Sequence, residues 1–313
     1  MTWRKAWTAF AHEHGAMPVI DAHPAPYRTQ PLHRDATFGA DAYAPTEIAA
    51  RIRDLGVAKA RLPWATQAML GVLAGAFIGF GALMFTLVAS DASLGFAVSR
   101  LLGGLAFSLG LLLVMVAGAE LFTGNHLIAM AWASGEVGSG ELLRNWAVVC
   151  LANLVGAAGL ALLVFLSGHA SMNGGAVAAA ALRIATAKAE LPIGELFFRG
   201  VLCNVLVCMA AWMAMAGRSV ADKAVAIVFP ITAFVAAGFE HSIANLYFLP
   251  YALAVKGFAP PEFWSAIGET ASAYSGLTLT AALHNIAVAT VGNLIGGSCL
   301  VGVAYWFIYL RRQ

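Results

Sequence analysis

Glu240 and His241 stand side by side in the stretch GFEHSIAN, residues 238–245, and between Lys223 and Lys256 no other residue carries a charge near neutral pH. Ionisable groups deep in an apolar run are costly and mark ion or proton paths more often than packing. An imidazole with an unperturbed pKa of about 6.5 can change charge under physiological conditions. Protonated, it attracts an anion; giving its proton to a weak-acid anion, it releases a neutral acid that crosses an apolar slit cheaply. A carboxylate at the same point would repel that anion. Adjacent residues at a helix break point in different directions, so Glu240 is expected to bond exposed backbone N–H groups or polar residues of packed helices. Taken alone, a membrane histidine that merely bonds a neighbouring helix would be the simpler reading of His241.

The motif has a partner. GAELFTGN, residues 118–125, lies over GFEHSIAN at an offset of 120, with Gly, Glu and Asn coinciding, so that Glu120 matches Glu240 and Leu121 matches His241. Asn145, Ala147 and Val148 likewise lie over Asn285, Ala287 and Val288, and Asn153, Leu154 and Gly156 over Asn293, Leu294 and Gly296, at an offset of 140. The extra twenty residues fall in the segment around Pro260–Gly276. Around Thr123–Asn125 and Ser242–Asn245 small polar residues weaken helix continuity. Irregular backbone at membrane depth is tolerated only where protein buries it or a cavity is lined by it. Two such breaks at matched positions favour a pore over simple close packing of small residues.

The elements that hold these residues are membrane spans. Apolar residues make up 60% of the 313 and charged residues 11%, against roughly 25% charged in soluble domains. Six apolar stretches are long enough for a hydrocarbon core of about 30 Å: 68–90, 101–134, 146–167, 194–216, 224–255 and 281–310, the second and fifth long and interrupted. Three spans per repeat put the second copy upside down, the organisation of many transporters. The expected fold is therefore an all-α membrane protein of six transmembrane helices in two inverted three-helix repeats with broken second and fifth helices.

Residues 1–62 form an N-terminal tail carrying an amphipathic helix over 46–62, and 63–313 the six-span domain. Residues 1–45 are rich in Pro, His and Ala. Their Trp3, Trp7 and Phe10 either rest as an aromatic face on the lipid surface or belong to a partly ordered tail, which leaves room for a cytoplasmic partner. The first 60 residues hold no apolar run of a cleavable signal peptide. Arg4, Lys5, Arg28, Arg34, Arg51, Arg53, Lys59 and Arg61 precede the first span, and Arg144, Arg218, Lys223, Arg311 and Arg312 fall on the same side. The positive-inside rule places both termini in the cytoplasm of a bacterial-type inner membrane. The net charge of +2 reflects this bias and gives no sign of a nucleic-acid partner. Cys150, Cys203, Cys208 and Cys299 lie within spans without metal or redox spacing, so no metal or cofactor is expected.

ELFTGN, GRSVADKA, FVAAGFEHSIANLYFLP and VGNLIGGSCLVGVAYW together closely resemble the formate/nitrite transporter family over about residues 45–310. The resemblance implies a homopentamer of aquaporin-like protomers, each with its own pore, passing formate, nitrite, hydrosulfide or similar anions and not acting as an enzyme. It implies apolar constrictions at Phe107, Leu111, Leu121 and Phe234, a broken-helix Thr123, a central His241, and polar neighbours Asn204 and Asn293. It also implies a vestibule lysine at Lys188, which either draws anions in or snorkels at the interface. GFAPPEFWSAIG with GRSVADKA leans toward formate; LHNIAVATVGN is also similar to the nitrite branch. A haem-binding redox subunit would need facing axial histidines, for which His126, His241 and His284 are the candidates.

Overall fold

The computed structural model describes residues 42–311, so the aromatic residues expected to face lipid in the tail lie outside the described residues. Helix α1 (Pro45–Ala60) is the amphipathic one, burying Ile48, Ala49, Ile52, Gly56 and Ala60. It stops two residues short of the expected end, because the ring of Pro63 disfavours helical backbone at Leu62 and Arg61 already departs from it. Helix α2 (Trp64–Ala89) crosses next. Helix α3 (Phe96–Ala117) ends at Gly118 with φ +83°, after which a 3-10 turn (Gly124–Ile128) and a short α4 (Ala129–Ala133) resume the same span. Helix α5 (Ser139–Leu166) closes the first repeat.

The second repeat has the same sequence of parts. Helix α6 (Ala176–Ala189) answers α1, α7 (Ile193–Ala216) answers α2, and α8 (Val220–Ala237) ends at Gly238 with φ +75°. Helix α9 (Ser242–Phe258) resumes the broken span, and a short α10 (Pro261–Ile267) lies in the segment that carries the twenty extra residues. Helix α11 (Leu279–Leu294) runs through a π-helical segment (Ile295–Val303) into α12 (Ala304–Tyr309). Six of these helical stretches are long and apolar enough to cross a membrane, and the described residues contain no strand. The chain is thus an all-α, multi-pass membrane protein built from two inverted repeats.

Both breaks need φ > 0, which glycine adopts without steric cost. Matched glycines also set how closely the helices cross. A Cβ on Gly156 of α5 would overlap the Val72 carbonyl of α2, and one on Gly296 would overlap the Val201 carbonyl of α7. The backbones therefore touch at corresponding points of the two repeats, the close approach that small residues permit in membranes. Apolar side chains such as Phe96, Leu151, Phe198 and Phe229 face outward and are exposed, as lipid or a neighbouring protomer requires.

Candidate functional site

At each break the backbone loses its helical bonds, and a buried side-chain network replaces them. The Glu120 N–H donates to the Leu70 carbonyl (3.2 Å), and the Phe122 N–H to Asn153 Oδ1 (2.9 Å). Asn153 Nδ2 then donates to the carbonyls of Gly71 (2.7 Å) and Glu120 (2.9 Å). In the other repeat the Glu240 N–H donates to the Arg199 carbonyl (3.2 Å), and the Ser242 N–H to Asn293 Oδ1 (2.9 Å). Asn293 Nδ2 donates to Gly200 (2.8 Å) and Glu240 (2.9 Å). One asparagine per repeat bonds three backbone groups, two of them at the break, where burial would otherwise leave them unpaired.

The glutamates are tied in the same mirrored way. Glu120 Oε1 pairs with Lys59 Nζ at 2.9 Å, and Oε2 accepts from Asn125 Nδ2 at 2.7 Å. Glu240 Oε1 pairs with Lys188 Nζ at 2.9 Å, and Oε2 accepts from Asn245 Nδ2 at 2.8 Å. Asn125 and Asn245 reach on to Asn145 and Asn285, whose amides donate to the carbonyls of Lys59 and Lys188. All four glutamate oxygens are thus engaged by a lysine or an asparagine.

Two expectations change here. Lys188 is neither a free charge nor a snorkelling one: its side chain is 15% exposed and bonded to Glu240. Asn293 spends its whole amide on backbone, so it holds the break and offers no donor to the pore. Asn204 does similar work, donating to the Asn293 carbonyl (2.7 Å) and approaching His126 Nδ1 (2.6 Å) and the Thr123 carbonyl (3.3 Å).

Thr123 and His241 do meet. Thr123 Oγ1 lies 3.0 Å from His241 Nε2, both groups buried, across the gap between the two breaks. His241 also caps α9, its Nδ1 accepting the Ala244 N–H at 3.0 Å. A neutral imidazole with an acceptor Nδ1 carries its proton on Nε2. Nε2–H therefore donates to Thr123 Oγ1, and the threonine's own O–H remains to donate elsewhere.

Two of the four residues expected to form constrictions adjoin this pair. Phe107 and Phe234 meet edge to face with centroids 5.6 Å apart, and the Phe234 ring stacks on His241 at 5.8 Å. With Leu111 and Leu121, each at most 3% exposed, they divide two cavities. The larger, 340 Å³, opens on the α6 side and is lined by Lys188, Glu240, His241, Phe107 and Phe234. The smaller, 60 Å³, lies beneath α1 and is lined by Lys59, Gly56, Leu111, Leu121 and Asn125.

Sequence reasoning passed over Lys59, although AKARLP (58–63) repeats as AKAELP (187–192) at an offset of 129. It also gave His126 no role in a pore, since its repeat partner is Leu246. His126 is wholly buried between the Phe122 and Trp146 rings. The π-helical segment brings Gly297 against Asn204 and His126, where a Cβ would collide with both.

Residues 46–307 match the family described as formate/nitrite transporter. The chain belongs to that family. Among its relatives, the formate channel FocA of Escherichia coli (strain K12) is 40% identical over 87% of this chain and 96% of the relative. The nitrite transporter NirC of the same strain is 35% identical over 83% and 88%. A solved pentameric formate channel with formate bound superposes with a TM-score of 0.76 at 38% identity, over 79% of this chain and 98% of that one. Members of the formate/nitrite transporter family are thus similar to this chain along nearly its whole described length, and their names describe channels and transporters, not enzymes.

Proposed function

We propose that the protein passes small monovalent weak-acid anions, formate first among them, through a pore in each protomer of a homopentamer. The membrane is the bacterial inner membrane, with both termini cytoplasmic, a reading supported by the basic residues gathered on the α1 side. The observation that carries the function is the Thr123–His241 hydrogen bond inside the apolar septum. A bare anion loses several kcal/mol of hydration in such a septum. Directed neutral donors offset part of that cost without binding so tightly that the ion cannot leave. With Oγ1 occupied by the imidazole N–H, the Thr123 O–H is the donor that greets the anion. The identity to named formate channels supports formate, and the NirC likeness makes nitrite the second substrate, with hydrosulfide third.

His241 carries the pH response. A second proton can enter only at Nδ1, where the ring now accepts the Ala244 N–H in the first turn of α9. Charging the imidazole and capping α9 therefore exclude each other. The haem reading finds little support in His241, both of whose nitrogens are committed, or in His284, which is exposed. Planar-bilayer currents of formate, nitrite and hydrosulfide at several pH values test the proposal. Formate is expected to carry the largest current, and His241→Asn to flatten its pH dependence between about pH 5 and 8. A wild-type profile in the variant would remove His241 from that role.

A further inference from the structure

Four cations line the α6-side cavity, and three have an acid. Lys188 pairs with Glu240 (2.9 Å), Arg199 with Glu195 (2.7 Å) and Arg183 with Glu269 (3.4 Å). Arg100, near the start of α3, lines the same cavity and has no carboxylate within ion-pair distance among the described residues. Its guanidinium reaches across to α8, Nε donating to the Ala236 carbonyl and Nη2 to the Val235 carbonyl, both at 3.0 Å. Those carbonyls end α8, where the helix dipole places partial negative charge at the approach to the Phe234 and His241 septum. Two of the five guanidinium N–H groups are used this way, and the rest of the fork has donors to give.

The inner break lacks this device. Arg100 matches Val220 in the other repeat, at the offset of 120 that pairs Gly118 with Gly238. A Cβ on Gly238 would lie 2.8 Å from Arg100 Nη2, whereas among the described residues nothing approaches within 4 Å of one on Gly118. The symmetry of the breaks is kept in the Lys–Glu pairs and lost at Arg100, on the side with the larger cavity.

We infer that Arg100 and the α6-side cavity form an entry site for a small carboxylate-like anion, held before it meets the septum. This rests on the anion-channel function proposed above. Arg100 masks the α8 carbonyls and presents the cavity's one uncompensated positive charge, which concentrates anions at the mouth from that side. A planar fork suits a planar carboxylate in two-point contact. The site favours loading from the α6 side, since among the described residues lining the α1-side cavity the cation is Lys59, which is paired with Glu120.

Full-length protein in oriented proteoliposomes tests it, with formate flux measured against concentration from each face for wild type, Arg100→Lys and Arg100→Gln. For entry from the α6 side, Arg100→Gln should raise the half-saturating formate concentration about three- to tenfold with maximal flux little changed. Entry from the α1 side should keep its wild-type concentration dependence. Arg100→Lys, which keeps the charge but loses the fork, should fall between wild type and Arg100→Gln. Raising inert salt from about 0.1 M to about 1 M shortens the screening length from about 10 Å to about 3 Å and should erase the difference between Arg100→Gln and wild type. Equal losses of maximal flux in both variants, independent of face and salt, would mean that Arg100 only caps α8 and would overturn the inference. Wild-type protein without formate flux would overturn the channel function itself, and the entry site with it.

Discussion

Lys188 and Glu240 are worth more to the fold than to the field of the cavity. Glu240 is buried and Lys188 mostly so, so removing the lysine leaves the carboxylate as an uncompensated charge, which costs about 3–5 kcal/mol, whereas replacing the pair is far milder. Lys188→Met should therefore lower the thermal midpoint of the purified protein sharply, and Lys188→Met with Glu240→Gln should recover most of the loss. Lys59→Met with Glu120→Gln should behave alike in the other repeat. If the double variant were as unstable as the single one, the lysine stem and not its charge would be what α9 depends on. His241 shows how much a single residue could reveal in advance. Its type and its place in a repeated break identified it, while its tautomer came only from the Ala244 N–H that it accepts, a contact that spacing alone does not specify.

The broken helices show where sequence stopped being readable. Spans two, three, five and six announced their repeat because each break needs Gly, Glu and Asn at fixed positions for φ, charge and amide bonding. The pairing of α2 with α7 left almost no trace, because what those helices give the breaks is backbone: the carbonyls of Leu70 and Gly71 in one, Arg199 and Gly200 in the other. A carbonyl constrains side-chain identity weakly, so Leu70 and Arg199 can differ and still do the same job. The asparagines that bind those carbonyls are the sensitive points. Asn153→Ala and Asn293→Ala each leave two buried backbone groups of the break without partners, at about 1–3 kcal/mol apiece before any water enters. Both should destabilise the protein severely in thermal unfolding, and Asn→Asp should do no better, because its carboxylate cannot donate to two carbonyls. A variant at either position that melted like wild type would show that the break is held by packing alone.

Across the whole molecule a symmetric scaffold carries an asymmetric path. The ion pairs, amide staples and glycine crossings obey the repeat, while Thr123, His126, Asn204 and His241 face Ile243, Leu246, Gly75 and Leu121 in the opposite copy. Those four departures adjoin one another through Thr123 and Asn204, and the π-helical segment of the sixth span makes room for them. Polar groups thus collect on one side of a septum whose remaining walls are apolar. If the septum is the pore's constriction as proposed, it sets size, because a 340 Å³ cavity is wider than the edge-to-face contact of Phe107 with Phe234. Phe234→Leu preserves an apolar wall while removing ring area from both the Phe107 contact and the His241 stack. It should raise acetate and lactate flux relative to formate by about tenfold, the value of roughly 1.4 kcal/mol of relieved barrier, and leave cations excluded. Full Phe→Ala truncation would mix this effect with about 3–5 kcal/mol of lost core stability, so the leucine variant is the cleaner measurement. Reversal potentials with mixed anions read the ratio directly, and an unchanged acetate-to-formate ratio would move the size filter away from the aromatic pair.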